Sequence, residues 1–536
     1  MTAAEHPRAT PLHATLGGRP IGDWLAHRAA LSPDRVAIID ATAAPRGDAG
    51  LTYRAWNLRV DRTAQALRGA GVGRGDRVAV LAKNCVEYLD LFFACGKLGA
   101  ILQALNWRLA AAELAALVRD GEPAALVYDR DFAGLAATLA AALGPGAASP
   151  TWIAIDPPGE PAGPPGPRLA DLVAAAPEGP PPTPDLDWGS PWTLCYTGGT
   201  TGLPKGAILT HGSVTWNAIN TATGWDLGAG DLAILNAPLF HTGGLNVFTA
   251  PLVHVGGASI VCRGFAVDQL FDLLQAHPVT CLFGVPTMFI DVQAHPRFAA
   301  APFERLRVLI SGGAPCPLPV FERFWARDVD FRSGYGLTEA GPNNFWLPTA
   351  ELRRKPGAVG YPLMHVEARI VGDAGEPCGA DEVGELRLRG PHLFAGYWRS
   401  PEASAAALDD AGWLRTGDLA RADADGCVTI VGRAKDMYIS GGENVYPAEI
   451  EAVLAGHPDV AEVAIVGAPH PRWGEVGVAF VVRRPGAAVD EAALLDFARA
   501  RVARYKAPKS ARFVDALPRT GAGKVDKRAL VASLAE

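Results

Sequence analysis

The segment YTGGTTGLPKG, residues 196–206, combines the residue types that hold phosphate groups. Its glycines leave backbone N–H groups free to point at an anion, and its threonine hydroxyls add further donors. Lys205 contributes a flexible positive charge. Because Lys205 follows Pro204, the segment differs from the GK[ST] loop of kinases and GTPases. The alternative is a flexible turn between strands, but strand-like residues 192–196 and helix-compatible residues 213–222 around it favour a polyphosphate-binding loop.

Further motifs follow this loop in a fixed order. They are SGGAP (311–315), YGLTEAG (335–341), TGD (416–418), GRAKD (432–436) and PRTGAGK (518–524). The first two stand where an apolar run gives way to a loop, so their polar groups should lie at strand ends.

Together with the glycine-rich loop, these motifs resemble the adenylate-forming superfamily, and in particular its acyl-CoA synthetases. The resemblance extends from Leu51 to Lys524, nearly the whole chain. It implies that a carboxylate attacks the α-phosphate of ATP to give acyl-AMP and pyrophosphate, and that a thiol then attacks the acyl carbon and releases AMP. The first step needs charge neutralisation rather than a strong base, because the carboxylate is already ionised.

The resemblance assigns catalytic roles to four residues. Lys524 would bridge the substrate carboxylate and the phosphate during adenylation. Glu339 would hold Mg²⁺ against the phosphates, and Thr338 would bond the α-phosphate. His241, in PLFHTGGL, would lie beside the reacting carboxylate. The structural alternatives are a solvated lysine in a turn, two helix-capping residues and a buried structural histidine.

The nucleotide site implied by the resemblance draws on several motifs. Tyr335 would pack against adenine, Asp418 would accept hydrogen bonds from the ribose hydroxyls, and Arg433 would join it. The full ATP- or AMP-binding set is Thr197, Gly198, Gly199, Thr200, Thr201, Gly202, Lys205, Gly313, Ala314, Pro315, Tyr335, Gly336, Thr338, Asp418, Arg433 and Lys524. Relatives usually carry serine or threonine in place of Gly198, so one hydroxyl donor to pyrophosphate is lost here.

By the same resemblance, Lys435 is the hinge about which a small C-terminal domain turns between the two half-reactions. Gly441 and Gly442 would line a narrow path for pantetheine, and Trp473 would stack on the adenine of CoA. An ordinary exposed lysine and simple packing of the tryptophan are the alternatives.

The acyl pocket is less well specified. Its candidates are Trp225, Phe240, Leu245, Asn246, Phe283 and Leu337. Amino-acid-activating relatives carry an aspartate at the position of His241, so a simple organic acid is favoured. The tryptophan gate of long-chain members corresponds to Leu245, which leaves the pocket open to a medium or long acyl chain, an aryl acid or an alicyclic acid.

The elements that position these residues follow an α/β pattern. Helical periods such as 56–71 and 88–100 alternate with apolar strands such as 76–82, which implies parallel sheet. Beyond Gly360, strands of period two predict a small antiparallel, β-barrel-like part. We therefore expect a large N-terminal adenylation domain over residues 1–433 and a small, mobile α+β domain over residues 434–536 that carries Lys524.

Composition excludes several classes of protein. The chain has 536 residues, 49% of them hydrophobic, and a formal net charge of -7, which does not favour a nucleic-acid partner. Eight scattered cysteines without a CxxC pair indicate reduced thiols rather than disulfides or a zinc site. With no signal peptide or membrane-spanning run in the sequence, we expect a cytoplasmic protein, with a homodimer left open.

These observations favour an ATP- and Mg²⁺-dependent ligase that joins a small-molecule carboxylic acid to CoA. A medium- or long-chain fatty acid is the leading substrate. The alternatives are an aryl or alicyclic acid, and transfer of the acyl group to a separate acyl-carrier protein. A luciferase-like oxygenase or a non-catalytic binder is less favoured, because a binder would not need Lys205, Glu339, Asp418 and Lys524 together.

Overall fold

The computed structural model describes residues 23–42, 50–144, 149–155, 163–182, 184–197, 204–440, 443–520 and 523–534. Its first region alternates helices with short apolar strands. In chain order these are α1 (Trp24–Leu31), β1 (Val36–Asp40), β2 (Leu51–Thr52), α2 (Tyr53–Gly69), β3 (Arg77–Leu81), α3 (Val86–Leu98), β4 (Ile101–Ala104), α4 (Ala111–Gly121), β5 (Ala125–Tyr128), α5 (Ala133–Leu143) and β6 (Thr151–Ala154).

The same alternation continues to the middle of the chain. The elements are α6 (Leu169–Ala175), β7 (Pro191–Thr197), β8 (Lys205–Thr210), α7 (His211–Gly224), β9 (Leu232–Leu235), α8 (Thr242–Gly244), a π-helical turn (Leu245–Thr249), α9 (Ala250–Val255), β10 (Ala258–Val261), α10 (Val267–Ala276), β11 (Cys281–Gly284), α11 (Pro286–Ala294), β12 (Val308–Ser311), α12 (Leu318–Trp325) and β13 (Phe331–Ser333).

These strands form two largely parallel sheets, as predicted for an α/β protein. One sheet has the order β6-β5-β3-β4-β7-β8, with only β8 antiparallel to its neighbour. The other has the order β13-β12-β11-β9-β10-β1-β2, with β2 antiparallel at its edge. Within the described ranges, no helix is both long and apolar enough to cross a bilayer.

The glycine-rich loop lies in a different local context from the predicted one. A strand, β8, separates the loop from the helix over residues 213–222 that we expected to follow it. β8 pairs with β7 in antiparallel fashion from Pro191↔Thr210 to Thr197↔Lys205, so the two strands on either side of the loop are neighbours in one sheet. The helix then begins at a reciprocal cap, in which Ser213 N donates to Thr210 Oγ1 at 3.0 Å and Thr210 N donates to Ser213 Oγ at 2.8 Å.

An antiparallel region follows. Its elements are β14 (Phe345–Trp346), β15 (Tyr361–Pro362), β16 (Glu367–Val371), β17 (Gly384–Arg389), α13 (Pro401–Ala407), β18 (Leu414–Ala422) and β19 (Val428–Arg433). The strands β16 to β19 form one four-stranded sheet in sequence order. The predicted β-barrel-like part is therefore wrong in one respect: this sheet is open, because its two end strands do not pair with each other.

The C-terminal region is a small α+β unit, as predicted. It consists of β20 (Tyr438–Ser440), β21 (Glu443–Val445), α14 (Pro447–Ala455), β22 (Val460–His470), β23 (Gly474–Arg483), α15 (Glu491–Arg499), β24 (Ser510–Phe513) and α16 (Lys527–Ala532). Its sheet is built around the long pair β22–β23 and has its own hydrophobic core. A short 3₁₀ turn, Ala434–Asp436, joins it to β19; the domain boundary at residue 433 stays a prediction.

Candidate active site

The carboxyl ends of the parallel strands bring several motifs to one edge of the seven-stranded sheet. PLFH follows β9, SGGAP begins at the end of β12, and YGLTEAG follows β13. The strands β9, β11, β12 and β13 are neighbours in that sheet. In open α/β sheets, ligands bind in the crevice outside these strand ends. Gly313, Ala314 and Pro315 are exposed there, directly after β12.

A carboxylate, a phenol and a guanidinium meet at the antiparallel sheet. Asp418 lies on β18 and pairs with Arg433 on β19. Arg433 Nε lies 3.0 Å from Asp418 Oδ1, and the hydroxyl of Tyr335 donates to Asp418 Oδ2 at 2.7 Å. Burial, and next the Asp418 charge, raises the pKa of Tyr335 well above its usual value, so this phenol stays a donor. The structure thus joins three residues that the sequence placed in one nucleotide site.

The carboxylate of Glu339 is held by a tyrosine from a distant part of the chain. The hydroxyl of Tyr397 donates to Glu339 Oε1 at 2.7 Å, and the ammonium of Lys205 lies 5.3 Å from the centroid of the Tyr397 ring. Burial raises the pKa of Tyr397, with the Glu339 charge as the next cause. Backbone bonds fix this arrangement, since Phe394 N donates to the carbonyl of Glu339 at 2.8 Å and Trp398 N to the carbonyl of Gly206 at 2.7 Å.

Tyr397 is a residue that our sequence reasoning missed. The segment 395–398 pairs with β8, as Ile208 N donates to the carbonyl of Gly396 at 3.0 Å and Ala395 N donates to the carbonyl of Ile208 at 2.9 Å. This pairing brings the ring between Glu339 and Lys205. No periodicity marks a single tyrosine in a loop, and only the AGYW context, with a glycine before an aromatic pair, singles it out.

Lys524 reaches this site from the C-terminal region. The pKa of Lys524 is lowered, first because the surrounding protein displaces water around it and then because of the positive charge of Arg433; Asp418 and Glu339 oppose this shift. Its side chain is still accessible to solvent, so it lies in an open cleft rather than in a closed core. Charges from β18, β19 and the YGLTEAG loop therefore act together on one lysine.

His241 is a neutral imidazole beside the same lysine. It stands directly before α8, and its ring lies 4.4 Å from that of Phe240. Burial, followed by the positive charges of Lys524 and Arg108, lowers its pKa to about 4. At neutral pH it can donate or accept a hydrogen bond but carries no charge. Arg108, stacked 4.2 Å from the centroid of the Trp107 ring, is a second site cation that the sequence did not reveal.

The loop after β13 depends on close backbone contacts. Gly341 has φ +66°, and a Cβ there would lie 2.8 Å from Asn217 Oδ1. A side chain at this position would be both strained and crowded. A Cβ on Gly336 would lie 2.2 Å from the carbonyl oxygen of Pro342. The loop carrying Thr338 and Glu339, a 3₁₀ turn over Thr338–Ala340, is therefore tightly folded.

Buried amides connect this loop to the helix after His241. The π-helical turn Leu245–Thr249 changes the usual i→i−4 bonding, and side chains bond its carbonyls. Asn217 Nδ2 donates to the carbonyl of Asn246 at 2.8 Å, and Asn343 Nδ2 donates to that of Val247 at 3.2 Å. Since Asn343 lies just after YGLTEAG, this network ties the Glu339 loop to the π-helical turn that follows His241.

A small cavity lies just beyond His241. It is lined by Ile234, Leu235, Asn236, Ala237, Gly243, Gly244, Val247, Phe248 and Phe283. Of the six acyl-pocket candidates, Phe283 belongs to this lining. Its ring packs between two glycines, because a Cβ on Gly243 would lie 3.4 Å from it and one on Gly312 would lie 3.0 Å from it.

The other five acyl-pocket candidates take different positions. Trp225 is buried and stacks on Trp346 with ring centroids 5.4 Å apart. Leu245 is fully buried in the core, and Asn246 donates to Thr242 Oγ1 at 3.0 Å. Phe240 contacts the His241 ring, whereas Leu337 is half-buried at the start of the Glu339 loop.

The remaining predicted residues fall into three groups. Thr197 and Lys205 pair with each other where β7 ends and β8 begins, and Lys205 is exposed. Lys435 lies in the 3₁₀ turn between β19 and β20, and Trp473 is 38% exposed at the turn between β22 and β23. Outside the described residues lie Gly198, Gly199, Thr200, Thr201, Gly202, Gly441 and Gly442.

Family models match both parts of the chain. The model "AMP-binding enzyme" covers residues 25–398, and "AMP-binding enzyme C-terminal domain" covers residues 449–524. The ATP-bound structure of MatB from Rhodopseudomonas palustris is similar, with a TM-score of 0.84 and 33% identity over 95% of this chain and 98% of that chain. The similarity therefore covers both the adenylation region and the small C-terminal unit.

Curated relatives are similar along almost their whole length. A feruloyl-CoA synthase of Amycolatopsis is 41% identical, over 95% of this chain and 97% of the relative. An indoleacetate–CoA ligase of Aromatoleum aromaticum is 39% identical, over 96% and 98%. A long-chain-fatty-acid–CoA ligase of Mycobacterium tuberculosis is 35% identical, over 95% and 97%. The chain belongs to the AMP-binding, adenylate-forming enzymes and is an AMP-forming acid–thiol ligase of the acyl-CoA synthetase group.

Proposed function

We propose that this acid–CoA ligase acts on a compact aryl carboxylic acid. The observation that carries the proposal is the cavity beyond His241. Its lining is formed almost wholly by glycines and apolar side chains, and the ring of Phe283 forms one flat wall. A planar ring fits such a space better than a long flexible chain. Two relatives named for aromatic acids, at 41% and 39% identity, support the same class.

In the proposed first half-reaction, a carboxylate oxygen of the acid attacks the α-phosphorus of ATP and pyrophosphate leaves. Lys524 stabilises negative charge on the substrate carboxylate and the α-phosphate, and Thr338 donates to a phosphate oxygen. Asp418 accepts from the ribose hydroxyls. These roles are supported by the convergence of Lys524, Asp418 and Glu339 in one cleft.

The donor groups at Glu339 fit a Mg²⁺ ion shared with ATP. Tyr397 donates to Glu339 Oε1, and this is the hydrogen bond that the Glu339 carboxylate makes with the part of the chain that is described. Among the same residues there is no cluster of three acidic, histidine or cysteine side chains that would form a protein-only metal cage. Mg²⁺ is typically held by one or two carboxylates together with substrate phosphates, so Glu339 is the residue that would hold it.

In the proposed second half-reaction, the sulfur of CoA attacks the acyl carbon, the bond to AMP breaks and AMP leaves. Rotation about Lys435 would remove Lys524 and present another face of the C-terminal unit. Trp473 is the candidate contact for the adenine of CoA. Its exposed indole has two cations near it, Arg472 at 4.8 Å and Lys509 at 5.9 Å from the ring centroid, which suits a phosphorylated nucleoside.

Pyrophosphate release with a panel of acids tests the substrate class. We expect benzoate- or cinnamate-type acids to give a higher kcat/KM than unbranched C4 to C18 acids, and AMP release to require CoA. A medium- or long-chain fatty acid stays the second candidate, favoured by the 35% identical relative named for long-chain fatty acids. A clear preference for C12 to C18 acids would reject the aryl proposal. Turnover with an acyl-carrier protein instead of CoA would support the third candidate, an enzyme that loads a separate acyl-carrier protein.

A further inference from the structure

Asn344 holds the YGLTEAG loop at both of its ends. Its backbone N donates to the carbonyl of Tyr335 at 3.2 Å, and its side-chain Nδ2 donates to that of Gly341 at 3.0 Å. These carbonyls belong to the first and last residues of the loop, so Thr338 and Glu339 lie between the two bonds. Asn344 is fully buried. Its amide is therefore a fixed support for the carboxylate to which the proposed function assigns Mg²⁺.

A buried histidine orients the amide of Asn344. Nε2 of His392 lies 2.9 Å from Asn344 Oδ1. Because Nδ2 of the same amide donates to Gly341, Oδ1 faces the histidine and can only accept, so Nε2 carries the proton. Burial lowers the pKa of His392 to about 3, which leaves the ring neutral with this single N–H. The far edge of the ring packs against the backbone, since a Cβ on Gly390 would lie 2.7 Å from Nδ1.

The two ends of the loop are supported differently. The hydroxyl of Tyr335 donates to Asp418, so the first end has a support besides Asn344. At the last end, the carbonyl of Gly341 accepts from Asn344 Nδ2 and, at 3.2 Å, from Leu337 N, which belongs to the loop itself. Among the described residues, the Asn344 amide is thus the group that ties this carbonyl to the chain outside the loop. Its loss would loosen the end next to the carboxylate and leave the nucleoside end in place.

We propose that His392 is a positioning residue of adenylation: by orienting the amide of Asn344, it holds the Glu339 carboxylate where a Mg²⁺ ion shared with ATP binds. The inference rests on the proposed role of Glu339 and extends it to a residue that acts through another. A chain of buried, fully bonded groups fixes one arrangement of a site, and removing one donor leaves its acceptor unpaired. The predicted defect is therefore one of metal-dependent nucleotide binding.

Calorimetric titration with ATP, in excess Mg²⁺ and in EDTA, tests this role without any acid substrate. We expect Mg²⁺ to increase the ATP affinity of the wild type. His392→Phe keeps a ring but has no donor, so it should bind ATP with Mg²⁺ roughly tenfold more weakly and ATP in EDTA within about twofold of the wild type. His392→Gln offers an N–H in place of Nε2 and should restore most of the loss. Equal losses with and without Mg²⁺, or no rescue by glutamine, would overturn the inference.

A double-mutant cycle tests whether His392 acts through the carboxylate. Glu339→Gln should remove most of the Mg²⁺-dependent gain in ATP affinity. The variant that combines it with His392→Phe should bind ATP with Mg²⁺ no more weakly than Glu339→Gln alone, because the histidine then has no carboxylate to position. Additive losses would overturn the inference. If His392→Phe does not fold, Asn344→Leu, which removes the donor to Gly341, takes its place in both experiments.

Tyr53→Phe is the matched control for the loss of one buried hydrogen bond. The Tyr53 hydroxyl donates to the carbonyl of Gly257 at 2.5 Å, directly before β10 and therefore at the amino ends of the parallel strands, away from the candidate site. This variant should unfold at a lower temperature than the wild type and keep the full gain in ATP affinity from Mg²⁺. Loss of that gain in Tyr53→Phe as well would make it an effect of general destabilisation and overturn the inference.

The inference and the proposed metal role fail in different ways. If Glu339→Gln keeps the wild-type gain in ATP affinity from Mg²⁺, Glu339 does not hold the metal and both are overturned. If Glu339→Gln loses the gain but His392→Phe keeps it, the metal role stands and the inference about His392 alone is overturned.

Discussion

The candidate site depends on single side chains that bridge remote parts of the sequence. Tyr397 connects the Glu339 carboxylate with the Lys205 ammonium, and Asp418 connects Tyr335 with Arg433. Each bridging group holds a charge in a fixed place before any ligand binds. Such preorganisation is what an in-line displacement at phosphorus requires, because the protein then needs little rearrangement as charge develops.

Replacement of Asp418 by alanine should weaken ATP binding. The carboxylate is expected to accept from the ribose hydroxyls, and a hydrogen bond to a charged group contributes about 1.5–3 kcal/mol. We expect at least a tenfold rise in the dissociation constant for ATP, measured by calorimetric titration. Glu367→Ala is the matched control, since this carboxylate lies on the same sheet in an exposed pair with Arg389. Unchanged ATP affinity in Asp418→Ala would place Asp418 outside the nucleotide site.

Loss of the Tyr397 hydroxyl should raise the Mg²⁺ requirement of adenylation. Tyr397→Phe keeps the ring near Lys205 but removes the donor to Glu339 Oε1, so the carboxylate is no longer oriented. We expect a rise of roughly tenfold in the Mg²⁺ concentration for half-maximal pyrophosphate release. Tyr361→Phe, which removes a hydroxyl bonded to Glu351, is the control. If both variants keep the wild-type Mg²⁺ dependence, Tyr397 does not position the metal carboxylate.

The lowered pKa of Lys524 predicts that the rate of adenylation falls at alkaline pH, which gives the pH profile an alkaline limb. The protein around Lys524 displaces water from it, and this and the Arg433 charge favour the neutral amine, so the pKa of Lys524 lies below the usual value of 10.5. The protonated form is the active one; activity is therefore complete below its folded pKa and falls as the pH rises through it. Pyrophosphate release by Lys524→Arg should lack this limb at the same pH, because a guanidinium does not titrate there. An identical limb in both enzymes would assign it to another group.

At the scale of elements, the sequence predicted which segments are helices or strands better than it predicted which strands pair with each other. The helices predicted over residues 56–71 and 88–100 and the strand predicted over residues 76–82 are confirmed, because their apolar residues are buried. The strand β8 was missed, since its pairing with β7 and with residues 395–398 is a long-range contact that no local period shows. The open antiparallel sheet was read as barrel-like for the same reason: strand periodicity does not say whether the end strands meet.

A proline at Lys435 should separate the half-reactions. This residue lies in the 3₁₀ turn between β19 and β20, where rotation of the C-terminal unit would change backbone dihedrals. Proline fixes φ near −65°, so Lys435→Pro should keep pyrophosphate release from the first half-reaction but lose acyl-CoA formation by at least tenfold. Lys435→Ala, which keeps backbone freedom, is the control. Acyl-CoA formation at the wild-type rate in Lys435→Pro would move the hinge elsewhere.

At the scale of the whole molecule, the order of the motifs predicted the protein family, whereas composition did not. The ordered motifs identified the family, which both family models confirm. Spacing along the chain, however, gave no indication of Tyr397 or Arg108, because each contacts a neighbour that only the fold brings close. The substrate was the least predictable feature. The cavity wall combines residues in and just after β9, in α8 and the π-helical turn, and in β11, so its shape depends on packing rather than on any one motif.

Lys524 tests the two-conformation scheme for the molecule as a whole. In the described arrangement it approaches His241, Asp418 and Glu339, which all belong to the large N-terminal part. Lys524→Ala should lower the rate of adenylation by about 10²- to 10³-fold, since one preorganised contact to a developing charge contributes on the order of 3–4 kcal/mol. Thioester formation from supplied acyl-AMP should be nearly unchanged, because the proposed rotation has then removed Lys524 from the cleft. Lys527→Ala, whose ammonium pairs with Glu451 inside the C-terminal unit, controls for a general loss of charge there. An equal loss in both half-reactions would mean that a single arrangement carries out both steps.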